Sequence, residues 1–484
     1  MREIPQRQIL ARIALENPWW QSPHEVPTHF AEVPPRPYIK LFYPLVATSN
    51  VRRAPILMGP RRVGKTFLLH HCIAKLLQEG VEPKRIFYIT LDHPTLVGQS
   101  LESLLALYEE ATGRSLLADN AEAPTFIFFD EIQYLRHWEQ HLKSLVDTFP
   151  QTRFTASGSA AAALKLKAQE SGAGRFSDFL LPPLTFYEYL ELFGLGDELV
   201  YSTVSDDAAI YAELDLPHLT DKFTDYIKFG GYPEAALSPE IQANPERFIK
   251  SDIIEKVLLR DIPQMYGIHN VQELNALFTS LAFNTAQECS LEELSRRSGV
   301  TGPTIKRYIE YLEAAFLIKV IYRVDRTARH FKRQRTFKVY LTNPALWTAL
   351  FGSLSPKDAD YGHLVETAIY AQWFHYENQA LHYGRWPKGE LDLISLGPGD
   401  RWAVEVKWSD RVANNRALLK QPVEFCADNR IGKLAVTTKT KNRTEVINGV
   451  AVSFWPAALY AYAVGHSIIN YRVRALEAQT ASSI

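Results

Sequence analysis

The chain has 484 residues, 46% of them hydrophobic and 22% charged, with a formal net charge of −1. At roughly 150 residues per domain this length holds about three domains, and the composition is that of an ordinary globular protein able to build real cores. The charge balance excludes a global pull toward nucleic acid or membrane, so any basic binding surface must be local.

The three cysteines, Cys72, Cys289 and Cys426, lie far apart and make no metal-ligand spacing. They read as thiols in a reducing compartment. No apolar run approaches the roughly 18 residues of a membrane span. Met1 to Gln6 lacks a signal-peptide apolar core, so the expected location is the cytoplasm.

In chain order, residues 1–50 are rich in proline and aromatics. Asn17-Pro18-Trp19-Trp20 and Pro34-Pro35-Arg36-Pro37 predict an extended segment laid across another domain. Next, the apolar run Ile56-Leu57-Met58 leads into Gly59-Pro60-Arg61-Arg62-Val63-Gly64-Lys65-Thr66 and then Phe67-Leu68-Leu69. A strand, a glycine-bounded loop and a helix start form the context that G-x-x-x-x-G-K-[ST] requires. Backbone N–H groups of such a loop converge on an anion, and the helix dipole favours negative charge there. Lys65 would reach the outer phosphates and Thr66 would offer its hydroxyl to Mg²⁺.

The helix after Lys65 is predicted to run to about Glu79, with Gly80 as its stop. Arg85 to Leu91 reads as a strand and Leu101 to Glu110 as a helix. The run Thr125-Phe126-Ile127-Phe128-Phe129 is a buried strand ending in Asp130-Glu131, the form of a Walker B element. Asp130 would hold a water of the Mg²⁺ shell, and Glu131 would orient and deprotonate the attacking water. Arg153 to Ser159 is a further strand with a polar end, where Ser157 or Ser159 is either a γ-phosphate sensor or part of a small polar turn. Arg175, flanked by Gly174, is either an arginine finger or the partner of a surface carboxylate. Strands alternate with helices here, so the sheet is expected to be mostly parallel with helices on both faces.

From Phe186 to about Gln264 the pattern turns helical and suggests a lid over the nucleotide, with Phe229-Gly230-Gly231-Tyr232-Pro233-Glu234 as a close helix approach. Ser290 with Glu293 forms a capping box, Gly299 closes that helix, and Pro303 opens the next. This is a helix-turn-helix pattern. Phe316–Tyr322 and Arg335–Leu341 would be the strands of a wing. Between them the hairpin 323–338 is strongly cationic. It reads as a contact to the DNA phosphate backbone, or as a solvated hairpin packed on the rest of the protein.

After Pro344 a new pattern begins. Tyr361 to Tyr370 opens a helix carrying Glu366. Gly389 to Ile394 and Trp402 to Trp408 are strands joined by the loop Gly397-Pro398-Gly399-Asp400. Glu405 and Lys407, two apart in a strand, point to one face, and Asp392 lies on the neighbouring strand. With Glu366 there are three carboxylates able to bind one or two Mg²⁺ ions, Asp392 and Glu405 as the expected ligands, and a lysine can position a water. Glu366, Asp392, Glu405 and Lys407 together look like the PD-(D/E)xK nuclease pattern. The competing reading is a purely structural nuclease-like fold.

The order of these motifs resembles a large prokaryotic family of AAA+-like P-loop ATPases whose C-terminal half is a domain of unknown function with a restriction-endonuclease-like fold. The resemblance runs from Asn17-Pro18-Trp19-Trp20 almost to the end of the chain. One departure is Ser157-Gly158-Ser159, where many AAA+ proteins place Asn. The resemblance implies an α/β chain with ATP and Mg²⁺ as cofactors. It is divided into an extended segment (1–50), an ATPase core (51–190), a helical lid (191–268), a winged helix (269–343) and a nuclease-like domain (344–484). The function expected is an ATPase that couples nucleotide state to a DNA-binding or nuclease-like domain, or else to a protein partner without nucleolysis, as a monomer or an oligomer.

Overall fold

The computed structural model describes residues 4–22, 26–48, 51–120, 122–158, 174–205, 208–329, 335–376, 380–387, 389–397 and 401–481. The chain divides into two compact units, Met1–Pro182 with Arg472–Ile484, and Pro183–Tyr471. No helix among the described residues is long and apolar enough to cross a membrane.

The first unit is built on five parallel strands: β1 (Ala54–Met58), β2 (Ile86–Thr90), β3 (Phe126–Asp130), β4 (Arg153–Gly158) and β5 (Phe176–Leu180). Their order is β2-β3-β4-β1-β5, and β1, β2 and β3 are near-continuous apolar runs with almost every residue buried. That is what a parallel sheet covered on both faces demands. Strand β4 stands between β1 and β3, so the loop after β1 and the carboxylates after β3 face each other across one strand at the carboxyl edge of the sheet. Open α/β sheets bind their ligands at that edge.

Among the described residues, the segment expected to be extended is largely helical and turned. Gln6–Glu16 is a helix, and Pro18–Trp20 a single tight turn. The run Gln-Arg-Gln-Ile-Leu-Ala-Arg-Ile-Ala-Leu-Glu consists mostly of good helix formers, and the prolines flank it rather than interrupt it. Its end covers β2, an edge strand whose free N–H and C=O groups need partners. Asn17 Nδ2 donates to Tyr88 O (2.8 Å) and Asn17 Oδ1 accepts from Tyr88 N (2.7 Å). The indoles of Trp19 and Trp20 both donate to Ile86 O (3.0 and 2.8 Å), and Glu16 accepts from Thr90 N (2.8 Å).

The second unit does not follow the expected divisions at 268/269 and 343/344, which both fall inside it. The stretch expected to be an all-helical lid contains an antiparallel hairpin, β6 (Val200–Ser205) and β7 (Ala208–Glu213). Beyond it one nine-stranded sheet gathers β8 (Glu288–Ser290), β9 (Ile318–Val324), β10 (Thr336–Leu341), β11 (Leu381–Trp386), β12 (Gly389–Leu396), β13 (Arg401–Glu405), β14 (Lys433–Thr438), β15 (Arg443–Ile447) and β16 (Val450–Pro456). The order is β15-β16-β14-β13-β12-β11-β9-β10-β8. The expected wing strand β9 is therefore interior. It pairs with β10 on one side and with β11, in parallel, on the other. Backbone groups left open on one side of a wing are satisfied by the strand that begins the next segment.

Two helices, Leu291–Ser298 and Gly302–Ala314, precede β9, with Gly299 at φ 72° ending the first. Ser290 accepts from Glu293 N (3.1 Å), but the Glu293 carboxylate pairs with Arg297 (2.7 Å) rather than closing a capping box.

A buried polar hub explains the glycine pair. Tyr226 donates its hydroxyl to Leu184 O (2.7 Å) and accepts from Asn343 Nδ2 (3.3 Å) and Gln372 Nε2 (3.1 Å). Gly231 lies against this hub, and a Cβ there would sit 2.2 Å from Asn343 Cγ. Gly231→Ala is expected to cost about 1–3 kcal/mol by overpacking. Thermal unfolding should then begin several degrees lower, with nucleotide binding by the first unit unchanged.

Candidate functional site

The P-loop geometry starts from backbone closeness. Leu181 N donates to Met58 O (2.7 Å), and a Cβ on Gly59 would lie 2.2 Å from Leu181 O. A side chain at Gly59 would have to displace main chain, not a flexible side chain. Gly64 has φ 91° and Arg62 φ 64°, and the helix Lys65–Gln78 begins directly after them. The N–H groups of its first turn border the loop, and Leu68 N donates to Gly64 O (2.9 Å). Val63 is fully buried and Arg62 exposed, with Arg61 between the two. Lys65 is 5% exposed, and its Nζ donates to Gly59 O (3.1 Å) and Pro60 O (2.9 Å). Its ammonium is thus held within the loop.

A second buried cation braces the loop. Arg36 Nη1 donates to Val63 O (2.8 Å) and Pro182 O (2.9 Å), and the residue is 5% exposed. Local spacing in the sequence assigns Arg36 no role. The available signal was a lone cation enclosed by Pro34, Pro35 and Pro37.

Asp130 receives four donors. Its Oδ2 accepts from Thr66 Oγ1 (2.7 Å) and Tyr88 OH (2.8 Å), and its Oδ1 accepts from Glu131 N (3.1 Å) and Ser157 Oγ. Thr66, Asp130, Ser157 and Glu131 therefore converge, although they come from the starts or ends of different elements. Glu131 has φ 53°, and Gln133 Nε2 donates to its Oε2. Burial raises the Glu131 pKa; Lys65 opposes that rise and Asp130 adds to it. His70 stacks on Phe30 (3.7 Å) and places Nδ1 2.9 Å from Thr66 O, which can only accept. Burial lowers the His70 pKa to about 4. It therefore holds the helix start as a neutral ring.

Two expected members are not gathered here. Ser159 lies outside the described residues. Arg175 sits at the amino end of β5, since Phe176 is in register with Ala54, whereas the loop follows the carboxyl end of β1. Its Nε contacts Asp147 Oδ1 at 2.5 Å, so within its own chain it pairs with a surface carboxylate at the opposite end of the sheet from Lys65.

The groups present fit a nucleoside triphosphate with Mg²⁺. Glycine leaves backbone room at position 59, the loop opens a helix, and Thr66 already meets Asp130. Thr66 and Asp130 are the residues that would hold the ion.

In the second unit the four nuclease-pattern residues also come together, with an addition. Lys407 Nζ lies 2.7 Å from Glu405 Oε1 and 3.5 Å from Asp392 Oδ2, and Val406 N donates to the same Oδ2 (2.8 Å). Lys407 falls just beyond the end of β13. Lys338, on β10 and 2% exposed, reaches Glu366 Oε1 (3.0 Å), Glu390 Oε1 (2.7 Å) and Asp392 Oδ1 (3.4 Å). Tyr340 OH donates to Glu366 Oε1 (2.6 Å). Burial raises the Glu366 pKa to about 7 and that of Glu405 to about 8, with Asp392 adding to both, whereas the lysines hold Asp392 low despite its burial. Lys338 was read only as part of a wing strand, because its partners lie on a helix and a strand separated from it by long stretches of sequence.

The residues here do not fit the expected divalent ion. Among the described residues no group of three or more His, Cys, Asp or Glu side chains is arranged to hold a metal. Asp392 and Glu405, expected as ligands, face lysine ammonium groups instead.

Comparison with known proteins agrees on the first unit. Residues 51–190 match the family model of an AAA domain, and residues 220–357 match that of a domain of unknown function, DUF8612. The chain thus carries an AAA-type, ATP-binding P-loop domain. It is 26% identical over 358 residues to an uncharacterized protein of Methanocaldococcus jannaschii, covering 71% of this chain and 72% of that one. It is 22% identical over 410 residues to an uncharacterized protein of Haemophilus influenzae, covering 82% and 92%. Among solved structures, PCH-2 of C. elegans aligns at 12% identity and TM-score 0.27, over 64% of this chain and 67% of that one. Hsp104 of S. cerevisiae, in its casein complex, aligns at 14% and TM-score 0.29, over 58% and 50%.

Proposed function

We propose that this chain hydrolyses ATP and uses the nucleotide state as a switch for the second unit. The observation carrying this reading is the convergence of Thr66, Asp130, Ser157 and Glu131 beside the Lys65 loop. Lys65 and the loop N–H groups bind the phosphate chain, with Ser157 as sensor. Mg²⁺, when bound, supplies charge neutralisation on the phosphate oxygens. Glu131 accepts a proton from a water as the water oxygen bonds to the γ-phosphorus. The bond from that phosphorus to the bridging oxygen breaks, and its electron pair leaves with ADP. The test is phosphate release by the full chain and by Lys65→Ala. Wild type is expected to turn ATP over and Lys65→Ala to bind and hydrolyse it poorly. Equal rates would reject the reading.

The output we favour is non-nucleolytic, acting on a protein partner. A lysine from outside the nuclease-like pattern, Lys338, lies among its carboxylates, and two arginines of the basic hairpin face acidic side chains, Arg323 with Glu288 (3.7 Å) and Arg326 with Asp428 (3.9 Å). Residues 330–334 of that hairpin lie outside the described residues. DNA contact by the hairpin and the helix pair before it, as a winged helix, is the competing proposal. Incubation with plasmid, linear and branched DNA and Mn²⁺ decides between them. Cleavage, or binding that weakens steeply with salt, favours the DNA reading. Neither is expected.

A further inference from the structure

Lys338 lies among three carboxylates, two of which, Glu366 and Asp392, belong to the nuclease-like pattern. Three carboxylates approach its Nζ at 2.7–3.4 Å, from Glu390, Glu366 and Asp392. An ammonium has three N–H donors, so three carboxylates match its full complement. Three of these carboxylate oxygens are also committed from their own side, whereas Glu405 Oε2, next to the cluster, is buried without a hydrogen-bond partner. Asp392 gives Oδ1 to Lys338, while Oδ2 accepts from Val406 N and faces Lys407. Glu366 Oε1 accepts from both Lys338 and Tyr340. Lys338 and Tyr340 are two apart on β10 and so share one face of the strand, which is how both reach the same oxygen. The ammonium also lies over the ring of Tyr383 on β11, with Nζ 5.5 Å from its centroid.

A divalent ion such as Mg²⁺ takes oxygen ligands at about 2.0–2.1 Å in near-octahedral geometry. Neither ammonium group could remain at these distances while the same oxygens closed around such an ion. We propose that Lys338 is the resident cation of this site: its ammonium neutralises Glu366, Glu390 and Asp392, ties β10 to the helix Tyr361–Trp373 and to β12, and excludes divalent metal. The site is a built-in salt-bridge latch in a nuclease-like frame. This holds whether or not the first unit hydrolyses ATP.

Removing one member of a buried ion cluster leaves uncompensated charge and is strongly destabilising. Lys338→Met should therefore melt lower by roughly 5–15 °C and should recover part of that loss when a divalent ion takes the vacated place. The experiment uses the full chain without nucleotide and follows Mn²⁺ uptake by electron paramagnetic resonance, with melting curves alongside. Wild type is expected to take up no more Mn²⁺ than Asp392→Asn. Lys338→Met is expected to gain about one ion per chain with at least tenfold tighter binding, and the double variant Lys338→Met/Asp392→Asn to lose it. If wild type binds an ion that Asp392→Asn does not, the inference is overturned. A folded Lys338→Met that gains no ion overturns it equally. Should Lys338→Met not fold, Lys338→Gln replaces it. The wild-type comparison with Asp392→Asn stands in either case.

Discussion

Glu131→Gln is expected to lower ATP turnover by about 10²–10⁴-fold, the usual contribution of a positioned general base, while nucleotide binding persists. The substitution keeps size and hydrogen bonding but removes the proton acceptor. The loop, Lys65 and the Thr66–Asp130 contact lie on other residues, so binding should survive. The pH profile gives a second readout. A general base works deprotonated, so turnover falls as pH falls through its pKa. Burial raises that pKa, placing the acid limb above the ordinary glutamate value of about 4.3. Wild type should show the limb, and the residual activity of Glu131→Gln should lack it. Single-turnover phosphate release and a fluorescent nucleotide titration check the two halves. A variant with near-normal turnover would remove Glu131 from the mechanism.

Arg36→Met is expected to weaken nucleotide binding by tenfold or more and to destabilise the first unit. The guanidinium donates to Val63 O inside the loop and to Pro182 O beyond β5. Methionine keeps the apolar volume but strands both carbonyls, at a cost of roughly 1–3 kcal/mol for each buried unsatisfied group. Because one of these carbonyls belongs to the loop itself, part of that cost falls on the conformation that binds phosphate, and about 1.4 kcal/mol there is a tenfold loss of affinity. Nucleotide titration with melting curves of the nucleotide-free protein separates the two effects. Unchanged affinity in a folded variant would make Arg36 a packing residue only.

The first unit was largely legible because its signals are local. The loop Gly59–Thr66 needs its glycines and lysine at fixed spacing within eight residues, and β3 announces itself as an apolar run ending in Asp130-Glu131. Helix and strand limits came within a few residues for the same reason. The N-terminal segment was misread because proline density suggested extension, whereas the eleven residues between Pro5 and Asn17 are a helix. The stretch after Phe186 is not helical throughout because the short paired strands β6 and β7 lie within flanks that are helical.

The sequence by itself determined the phosphate-binding loop, the acidic end of β3 and the α/β class, since each follows from short-range spacing and from hydrophobic runs that only a buried parallel strand explains. Only the tertiary structure decided three other points: that Arg36 braces the loop, that Arg175 lies at the opposite end of the sheet from it, and that Lys338 fills the carboxylate cluster. The physical reason is range. A long cationic side chain declares its partner only when distant segments are brought together, and a buried charge is tolerated only where that arrangement supplies carbonyl acceptors, as for Arg36, or counter-ions, as for Lys338.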